Sequence, residues 1–94
     1  MTRVIWTRQA IEDVEAIKAY VSRDSQRYAV LLAERLVAAV GQLERFPQSG
    51  RVVPEVGDAS LREVVYGNYR LVYRLHAEVV EIVTVYHGAR LLRV

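Results

Sequence analysis

Seven residues in the second half of the chain have side chains that could act on a nucleic-acid phosphate. Five are arginines and two form a tyrosine-histidine pair at the end of the last apolar run: Arg51, Arg62, Arg70, Arg74, Arg90, Tyr86 and His87. An arginine fork can bind two phosphate oxygens, and histidine titrates near neutral pH, so it can move a proton during phosphodiester cleavage. If neighbouring strands bring these residues together, they predict the chemistry of a ribonuclease.

The same arginines could instead be ordinary partners of carboxylates on neighbouring strands. Glu55, Glu63 and Glu81 lie in the same part of the chain, and opposite charges commonly pair across a sheet. His76 lies near a predicted turn and is expected to be a solvent-exposed histidine rather than a catalyst. Spacing alone leaves both interpretations of the arginines open.

The composition excludes several other kinds of site. The chain has no cysteine, which excludes zinc fingers, iron-sulfur clusters and thiol nucleophiles. It has no glycine-rich phosphate loop and no His-x-x-x-His pair, so we expect neither a cofactor nor a metal. The net charge of +2 is too small to indicate non-specific nucleic-acid binding.

The elements that position these residues must fit into one small domain, residues 1–94. Hydrophobic residues make up 52% of the chain and charged residues 26%, which is typical of a folded globular protein rather than a disordered one. The N-terminal apolar stretch is too short for a signal peptide or a membrane span. We therefore expect a soluble cytoplasmic protein with no membrane partner.

The first half of the chain predicts a short strand and two helices. Val4 to Trp6 form the strand, and Thr7 caps a first helix that runs to about Val21. Asp24 or Ser25 caps a second helix that ends before Pro47, and the short connection predicts an antiparallel hairpin. Spacings of three and four give each helix an apolar stripe. The stripes are Ile11, Val14, Ile17 and Val21, and Ala29, Leu32, Leu36, Val40 and Leu43.

The second half predicts a loop followed by an antiparallel meander. Proline and glycine between Phe46 and Ser60 indicate irregular backbone. Three strand-like runs follow, separated by Gly67-Asn68 and Ala77-Glu78: Leu61 to Tyr66, Tyr69 to His76 and Val79 to Tyr86. The predicted fold class is α+β with the order β-α-α-β-β-β.

The middle strand of the meander should separate an apolar face from a half-polar one. Tyr69, Leu71, Tyr73 and Leu75 share the face that we expect the helices to cover. The other face presents Arg70, Val72, Arg74 and His76. The charged candidates should therefore lie on the sheet face opposite the helices.

Four segments of the chain, in their order and spacing, resemble the RelE/ParE toxin superfamily of type II toxin-antitoxin systems. The resemblance is stronger to the ParE branch. The four segments are Phe46-Pro47-Gln48-Ser49-Gly50-Arg51, Leu61-Arg62-Glu63, Tyr69-Arg70-Leu71-Val72-Tyr73-Arg74 and Val85-Tyr86-His87-Gly88-Ala89-Arg90. The resemblance covers nearly the whole chain and implies a cognate antitoxin that silences the toxin. It also implies that operator DNA is bound only through the antitoxin.

The resemblance leaves two targets to distinguish. ParE-like members poison DNA gyrase without established catalytic residues, whereas RelE-like members cleave mRNA on the ribosome. Leu61 and Glu63 stand where RelE-like toxins often carry lysines, and the chain ends at Val94, before the C-terminal helix of some ribonuclease members. Both features favour a gyrase inhibitor that stabilises plasmids and arrests growth.

For that gyrase inhibitor we assign Arg51, Arg74 and Arg90 as target-binding residues. The alternative is a ribosome-dependent endonuclease that uses the set Arg62, Arg70, Tyr86 and His87. A third interpretation is an inactive module that only binds the antitoxin. The sequence favours the first of these interpretations.

Overall fold

The computed structural model describes residues 1–88, in which two helices cover one face of a five-stranded sheet. The elements are β1 (Arg3–Trp6), α1 (Arg8–Ser22), α2 (Gln26–Ala39), a 3-10 turn (Gly41–Glu44), β2 (Arg51–Val52), β3 (Leu61–Tyr66), β4 (Tyr69–Leu75) and β5 (Val79–His87). The predicted α+β class and order of elements are confirmed. The short strand β2 is additional, because the sequence predicted irregular backbone there.

The strand order is β1-β5-β4-β3-β2, with β1 parallel to β5 and the other pairs antiparallel. The meander β3-β4-β5 therefore forms as predicted. Its first turn is closed by Tyr66 opposite Tyr69, and Gly67 has a φ of 57°, a conformation that glycine adopts without steric cost. The N-terminal strand and the C-terminal strand lie side by side, so the two halves of the chain share one sheet.

Both predicted helix starts are confirmed by side-chain caps. The Thr7 hydroxyl accepts a hydrogen bond from the Ala10 amide at 3.1 Å, and the Ser25 hydroxyl accepts one from the Tyr28 amide at 3.1 Å. Each bond satisfies a backbone donor that has no partner within the helix. These caps fix where the helical hairpin begins and turns.

The prediction that the α2 stripe is buried is confirmed, whereas the prediction for the α1 stripe is wrong at one position. Ala29, Leu32 and Leu36 are buried, and Val40 and Leu43 continue the stripe into the 3-10 turn. On α1, Ile11 is 50% exposed and Ala10 is fully buried instead. Successive helical residues differ by about 100° in direction, so the small Ala10 faces the sheet and Ile11 turns away from it.

The sheet face opposite the helices is partly covered by the connection between β2 and β3. Val53 is fully buried in this connection and packs with Leu61 and Val72, while Val56 and Tyr86 border the cluster. Part of the half-polar face is therefore shielded from solvent. None of the helices in residues 1–88 is long and apolar enough to cross a membrane.

Strand β5 contains a bulge that shifts its pairing with β4 by one residue. Tyr73 lies opposite Ile82, but Val72 lies opposite Thr84, so Val83 has no partner on β4. The Thr7 hydroxyl contacts the carbonyls of Ile82 and Val83, at 2.8 and 3.1 Å. Asp13 of α1 accepts hydrogen bonds from Thr84 Oγ1 at 2.5 Å and the Val85 amide at 3.0 Å. The start of α1 thus holds the bulge in place.

Candidate functional site

The half-polar sheet face carries, beside the connection that covers it, a charged group of side chains, which we call the ion-pair cluster: Arg51, Glu55, Glu63 and Arg70. Strands β2, β3 and β4 each contribute one member, and Glu55 comes from the β2–β3 connection. The register places Arg51 of β2 opposite Glu63 of β3. Strand β3 in turn pairs with β4, which carries Arg70. Two positive and two negative side chains are thus brought together on one face.

Arg70 is the centre of the cluster, and its guanidinium is held on three nitrogens. Nη1 and Nη2 donate to the two carboxylate oxygens of Glu55 at 2.7 and 2.8 Å, and Nε donates to Glu63 at 2.6 Å. The hydrogen bonds that Arg70 donates to Glu55 raise the pKa of Arg70 above its ordinary value; burial acts in the opposite direction, and the hydrogen bond to Glu63 and the charge of Glu63 raise it further. Arg70 is therefore permanently charged, and its guanidinium already binds the carboxylates of Glu55 and Glu63.

Glu63 links the two arginines of the cluster. Its side chain is 0% exposed, and its second oxygen accepts a hydrogen bond from Arg51 Nε at 2.6 Å. A buried carboxylate is stable only when charged partners and hydrogen bonds replace water. Glu63, which stands where RelE-like toxins often carry a lysine, is therefore enclosed between two arginines rather than facing solvent.

Tyr86 lies beneath Arg70 on the same sheet face. The guanidinium carbon of Arg70 is 5.3 Å from the Tyr86 ring centroid, a cation–π distance. Burial raises the pKa of the Tyr86 hydroxyl, and the charge of Arg70 acts in the opposite direction. This hydroxyl is buried and has no hydrogen-bond partner within the part of the chain that the structure describes.

Arg51 borders a shallow depression of about 390 Å³ next to the cluster. The depression is lined by Arg51, Val65, Gly67, Asn68, Arg70, His87 and Gly88. The Arg51 side chain is 58% exposed and is anchored to Glu63 through Nε. Of the cluster arginines, Arg51 is the one that an incoming molecule can reach.

Arg62 does not join the ion-pair cluster. It lies opposite Tyr73, which packs on the helix side of the sheet. Its Nη1 donates to the carbonyls of Gln48 and Gly50 at 3.2 and 3.0 Å, and its Nε donates to the carbonyl of Ala59 at 3.0 Å. Arg62 therefore ties together the segments before and after β2.

The remaining predicted residues are spread over the molecule. Arg74 is on the same face as Arg70, 42% exposed, near Ser60 and 3.9 Å from Asp58. His87 packs edge-on against Tyr69 at 5.4 Å between ring centroids and also borders the depression. Exposed His76 contacts Glu81 at 3.2 Å, as expected for a histidine outside the site. Arg90 lies outside the described residues.

Of the predicted site residues, Arg51, Arg70 and Tyr86 lie together, and His87 lies at the rim of the depression. Arg62 lies apart from them. Sequence reasoning named Glu55 and Glu63 as possible partners of arginines, but not the stacking of Arg70 on Tyr86. It also missed Asn68 in the depression, because the only local pattern at Asn68 is that of a turn. Within residues 1–88, no three histidine, aspartate or glutamate side chains are grouped as metal ligands.

Comparison with known proteins agrees with this fold. A family model described as "ParE toxin of type II toxin-antitoxin system, parDE" matches residues 4–92. The chain is 37% identical to "Toxin RelE2" of Caulobacter vibrioides over 92 residues, which cover 97% of this chain and 100% of that relative. It is 34% identical to "Putative toxin Y4kP" of Sinorhizobium fredii over 88 residues, covering 92% and 88% of the two chains.

Two solved structures share the architecture. A chain of the chromosomal ParDE system from P. aeruginosa has a TM-score of 0.76 and 21% identity, covering 93% of this chain and 96% of that one. A chain of the RelBE2 toxin-antitoxin complex from Mycobacterium tuberculosis has a TM-score of 0.62 and 26% identity, with coverages of 92% and 96%. The fold, the family model and the relatives thus show a small toxin of the RelE/ParE superfamily, as predicted. Within it, the chain belongs to the ParE toxin family of type II toxin-antitoxin systems.

Proposed function

We propose that this toxin is a non-enzymatic inhibitor of DNA gyrase that acts in the cytoplasm and is neutralised by a cognate antitoxin. The proposal rests on the hydrogen bonds that Arg70 already makes to two carboxylates. A ribonuclease would need this arginine for the phosphate, whereas here two carboxylates occupy its guanidinium. Arg62, the second arginine of the ribonuclease set, is bonded to backbone carbonyls instead.

The exposed cations of the same face are suited to binding a protein target. Arg51 has a 58% exposed side chain beside the depression, and Arg74 is partly exposed further along the sheet. Arginine is enriched among the residues that dominate binding energy at protein interfaces. We therefore assign Arg51 and Arg74 to gyrase binding, together with Arg90 from the sequence pattern.

The test is to induce the chain alone in a bacterium and pulse-label new DNA and new protein during the first minutes. We expect DNA synthesis to fall first, and purified gyrase to lose supercoiling activity when the protein is added. Normal supercoiling in excess protein would contradict the proposal. If neither synthesis fell, the inactive antitoxin-binding module would be the better interpretation.

Arg51→Ala should weaken inhibition of gyrase without unfolding the protein. Glu63 keeps its bond to Arg70, so the protein should stay folded although its free energy of unfolding falls, and inhibition is compared between folded samples. We expect the concentration for half-inhibition of supercoiling to rise roughly tenfold. Arg35→Ala removes the same charge from the exposed surface of α2 and serves as the control. Equal inhibition by both variants would remove Arg51 from the target surface.

A ribosome-dependent mRNA endonuclease is the second candidate. It is favoured by the 37% identity to a relative named Toxin RelE2 and by the common location of Arg70, Tyr86 and the rim residue His87. In that case protein synthesis would fall first after induction. Loss of toxicity in a folded His87→Ala variant would then support a role for His87 in proton transfer.

We assign the antitoxin surface to the helical hairpin and the open edge of the sheet. Tyr20 and Tyr28 lie on the two helices on either side of their connection, 69% and 52% exposed, and Leu31, 39% exposed, lies about one turn further along α2. Strand β1 is an edge strand, which a partner can extend by adding a strand. The solved relatives come from toxin-antitoxin systems, which supports a partner of this kind.

Tyr28→Asp should weaken binding of the protein encoded by the adjacent gene. A charge in the centre of an apolar contact removes buried area and leaves a carboxylate without a partner. We expect the dissociation constant, measured by calorimetry, to rise about 30-fold. Gln42→Asp places the same charge on the exposed 3-10 turn and should leave binding unchanged. Unchanged binding by Tyr28→Asp would exclude this helix surface.

A further inference from the structure

Strand β5 has a neighbouring strand on its outer side along only part of its length. Strand β1 pairs with β5 from Val79 to Ile82, and beyond Ile82 no other strand of residues 1–88 pairs with that edge. Side chains at the start of α1 lie there instead: Thr7 donates to the Val83 carbonyl at 3.1 Å. Backbone groups at a sheet edge need such partners where water is kept away. The start of α1 therefore takes the place of a strand.

Asp13 is the acceptor for two neighbouring residues on this edge. One of its carboxylate oxygens accepts hydrogen bonds from Thr84 Oγ1 at 2.5 Å and from the Val85 amide at 3.0 Å. Its other oxygen accepts one from Gln9 Nε2 at 2.8 Å, which orients the carboxylate. A carboxylate forms stronger hydrogen bonds than a neutral acceptor. Asp13 therefore fixes the two residues that follow the bulge at Val83.

The apolar pattern of β5 discriminates only weakly between two registers beyond the bulge. Val85 packs into the core under the helices, and Tyr86 packs with the apolar cluster on the opposite face. Because both faces take a large side chain here, exchanging the faces changes little in apolar burial. The bonds to Asp13 favour the observed register, in which Tyr86 lies opposite Arg70.

This register supports the arginine that borders the depression. The Tyr86 ring lies 5.3 Å from the guanidinium carbon of Arg70 and packs beneath it. Arg70 donates to Glu63 at 2.6 Å, and the second oxygen of Glu63 anchors Arg51 at 2.6 Å. A change in the register of β5 would remove Tyr86 from this chain of contacts. The orientation of Arg51 therefore depends on the pairing of β5 with β4.

We propose that Asp13 is a positioning residue of the target-binding face, which it controls by holding Tyr86 beneath Arg70 through the bulge of β5. The inference rests on the proposed function, because this face is the one assigned to gyrase. Asp13 belongs to α1, on the helix side of the sheet, and does not line the depression. Its effect passes along the backbone of β5, so a residue remote from the target sets the geometry of the surface that binds it.

The first measurement is the pairing of β5 with β4, read by NMR from the NOEs between Tyr86 and Arg70 in protein made by cell-free synthesis. We expect Asp13→Ala to lose these NOEs, because two donors of β5 lose their acceptor. Asp13→Asn keeps the shape and an acceptor oxygen, so it should keep the NOEs. Glu12→Ala removes an equal charge from the exposed neighbouring position and is the matched control.

The second measurement is inhibition of gyrase supercoiling by the same proteins. We expect the concentration of Asp13→Ala that gives half-inhibition to rise roughly tenfold, since Arg51 loses its fixed orientation. Asp13→Asn and Glu12→Ala should match the wild type. All variants are compared at a temperature at which circular dichroism shows them to be folded, so a loss of stability alone does not change the result.

Three results would overturn the proposal. One is a folded Asp13→Ala protein that keeps the NOEs between Tyr86 and Arg70. Another is a loss of these NOEs with no change in inhibition, which would make Asp13 a residue of the fold alone. The third is an equal loss of inhibition in Glu12→Ala, which would indicate a general charge effect.

Two further outcomes keep the test decisive. If the wild type does not inhibit gyrase, the proposed function fails, and growth arrest by the same variants replaces supercoiling; equal arrest by Asp13→Ala and the wild type would then overturn the positioning role. If Asp13→Ala does not fold, Thr84→Val is measured against the same criteria. This variant removes one hydrogen bond to Asp13 and keeps the shape of the side chain.

Discussion

Glu63→Ala is expected to destabilise the toxin by about 3–5 kcal/mol, the range found when one partner of a buried charge pair is removed. The side chain is 0% exposed and binds Arg70, which is itself 10% exposed at the side chain. Without Glu63, Arg70 would keep only the carboxylate of Glu55 while its Nε remained buried. For a domain of this size such a loss approaches the whole free energy of unfolding. Urea denaturation followed by circular dichroism measures the loss.

The matched control is Glu81→Ala, which removes a strand glutamate whose carboxylate contacts the exposed His76. Exposed ion pairs contribute about 0–1 kcal/mol, so this variant should remain close to the wild type. Similar, small losses for both glutamates would mean that the ion-pair cluster contributes little to stability. That result would also weaken the role of Glu63 as the fixed support of Arg70.

Gly50→Ala is expected to cost about 1–3 kcal/mol or more, the range for overpacking a filled interior. A Cβ atom at this position would lie 2.6 Å from the Glu63 carbonyl oxygen and 2.6 Å from the Tyr73 hydroxyl. Tyr73 is fully buried, and its hydroxyl accepts a hydrogen bond from the Gly50 amide at 3.0 Å and donates one to the Pro47 carbonyl at 2.8 Å. Neither neighbour can move without breaking β3 or these bonds.

Gly41→Ala provides the contrast, because a Cβ there would meet nothing within 4 Å and its φ is not positive. Reduced freedom of the unfolded chain should make this variant more stable by about 0.4–1 kcal/mol. Thermal unfolding of both variants gives the comparison. If Gly50→Ala were as stable as the wild type, the close packing of β2 against β3 and Tyr73 would be refuted.

Local sequence signals predicted the helical half of the fold well. Thr7 and Ser25 cap the helices because their hydroxyls satisfy the first backbone amides, an interaction that spans only three residues. The five apolar positions of α2 and its extension are buried because a period near 3.6 leaves them only one shared face. The error at Ile11 arose where helix rotation depends on the sheet beneath α1 rather than on α1 itself.

Contacts between distant residues were not predictable in the same way. Strand β2 is two residues long and forms only because Arg51 and Val52 meet Glu63 and Arg62 across the sheet. Sequence reasoning could pair Arg70 with Glu55 or Glu63, but it could not show that one guanidinium holds both. It also placed Arg62 with the phosphate-binding arginines, whereas the fold directs its guanidinium to the carbonyls around β2.

The sequence by itself determined that this is an α+β toxin of the RelE/ParE superfamily with arginines on the sheet face opposite the helices. Only the tertiary structure decided which residues of β4 the side chains of Tyr86 and His87 lie beside. On one side of the bulge Tyr73 pairs with Ile82, and the same register continued along β5 would place Tyr86 opposite Tyr69. The bulge instead places Tyr86 opposite Arg70 and His87 opposite Tyr69. Because side chains alternate along a strand, a shift of one residue exchanges the two faces. Thr7 and Asp13, about seventy residues away, hold that shift, so no local pattern around Tyr86 could predict it.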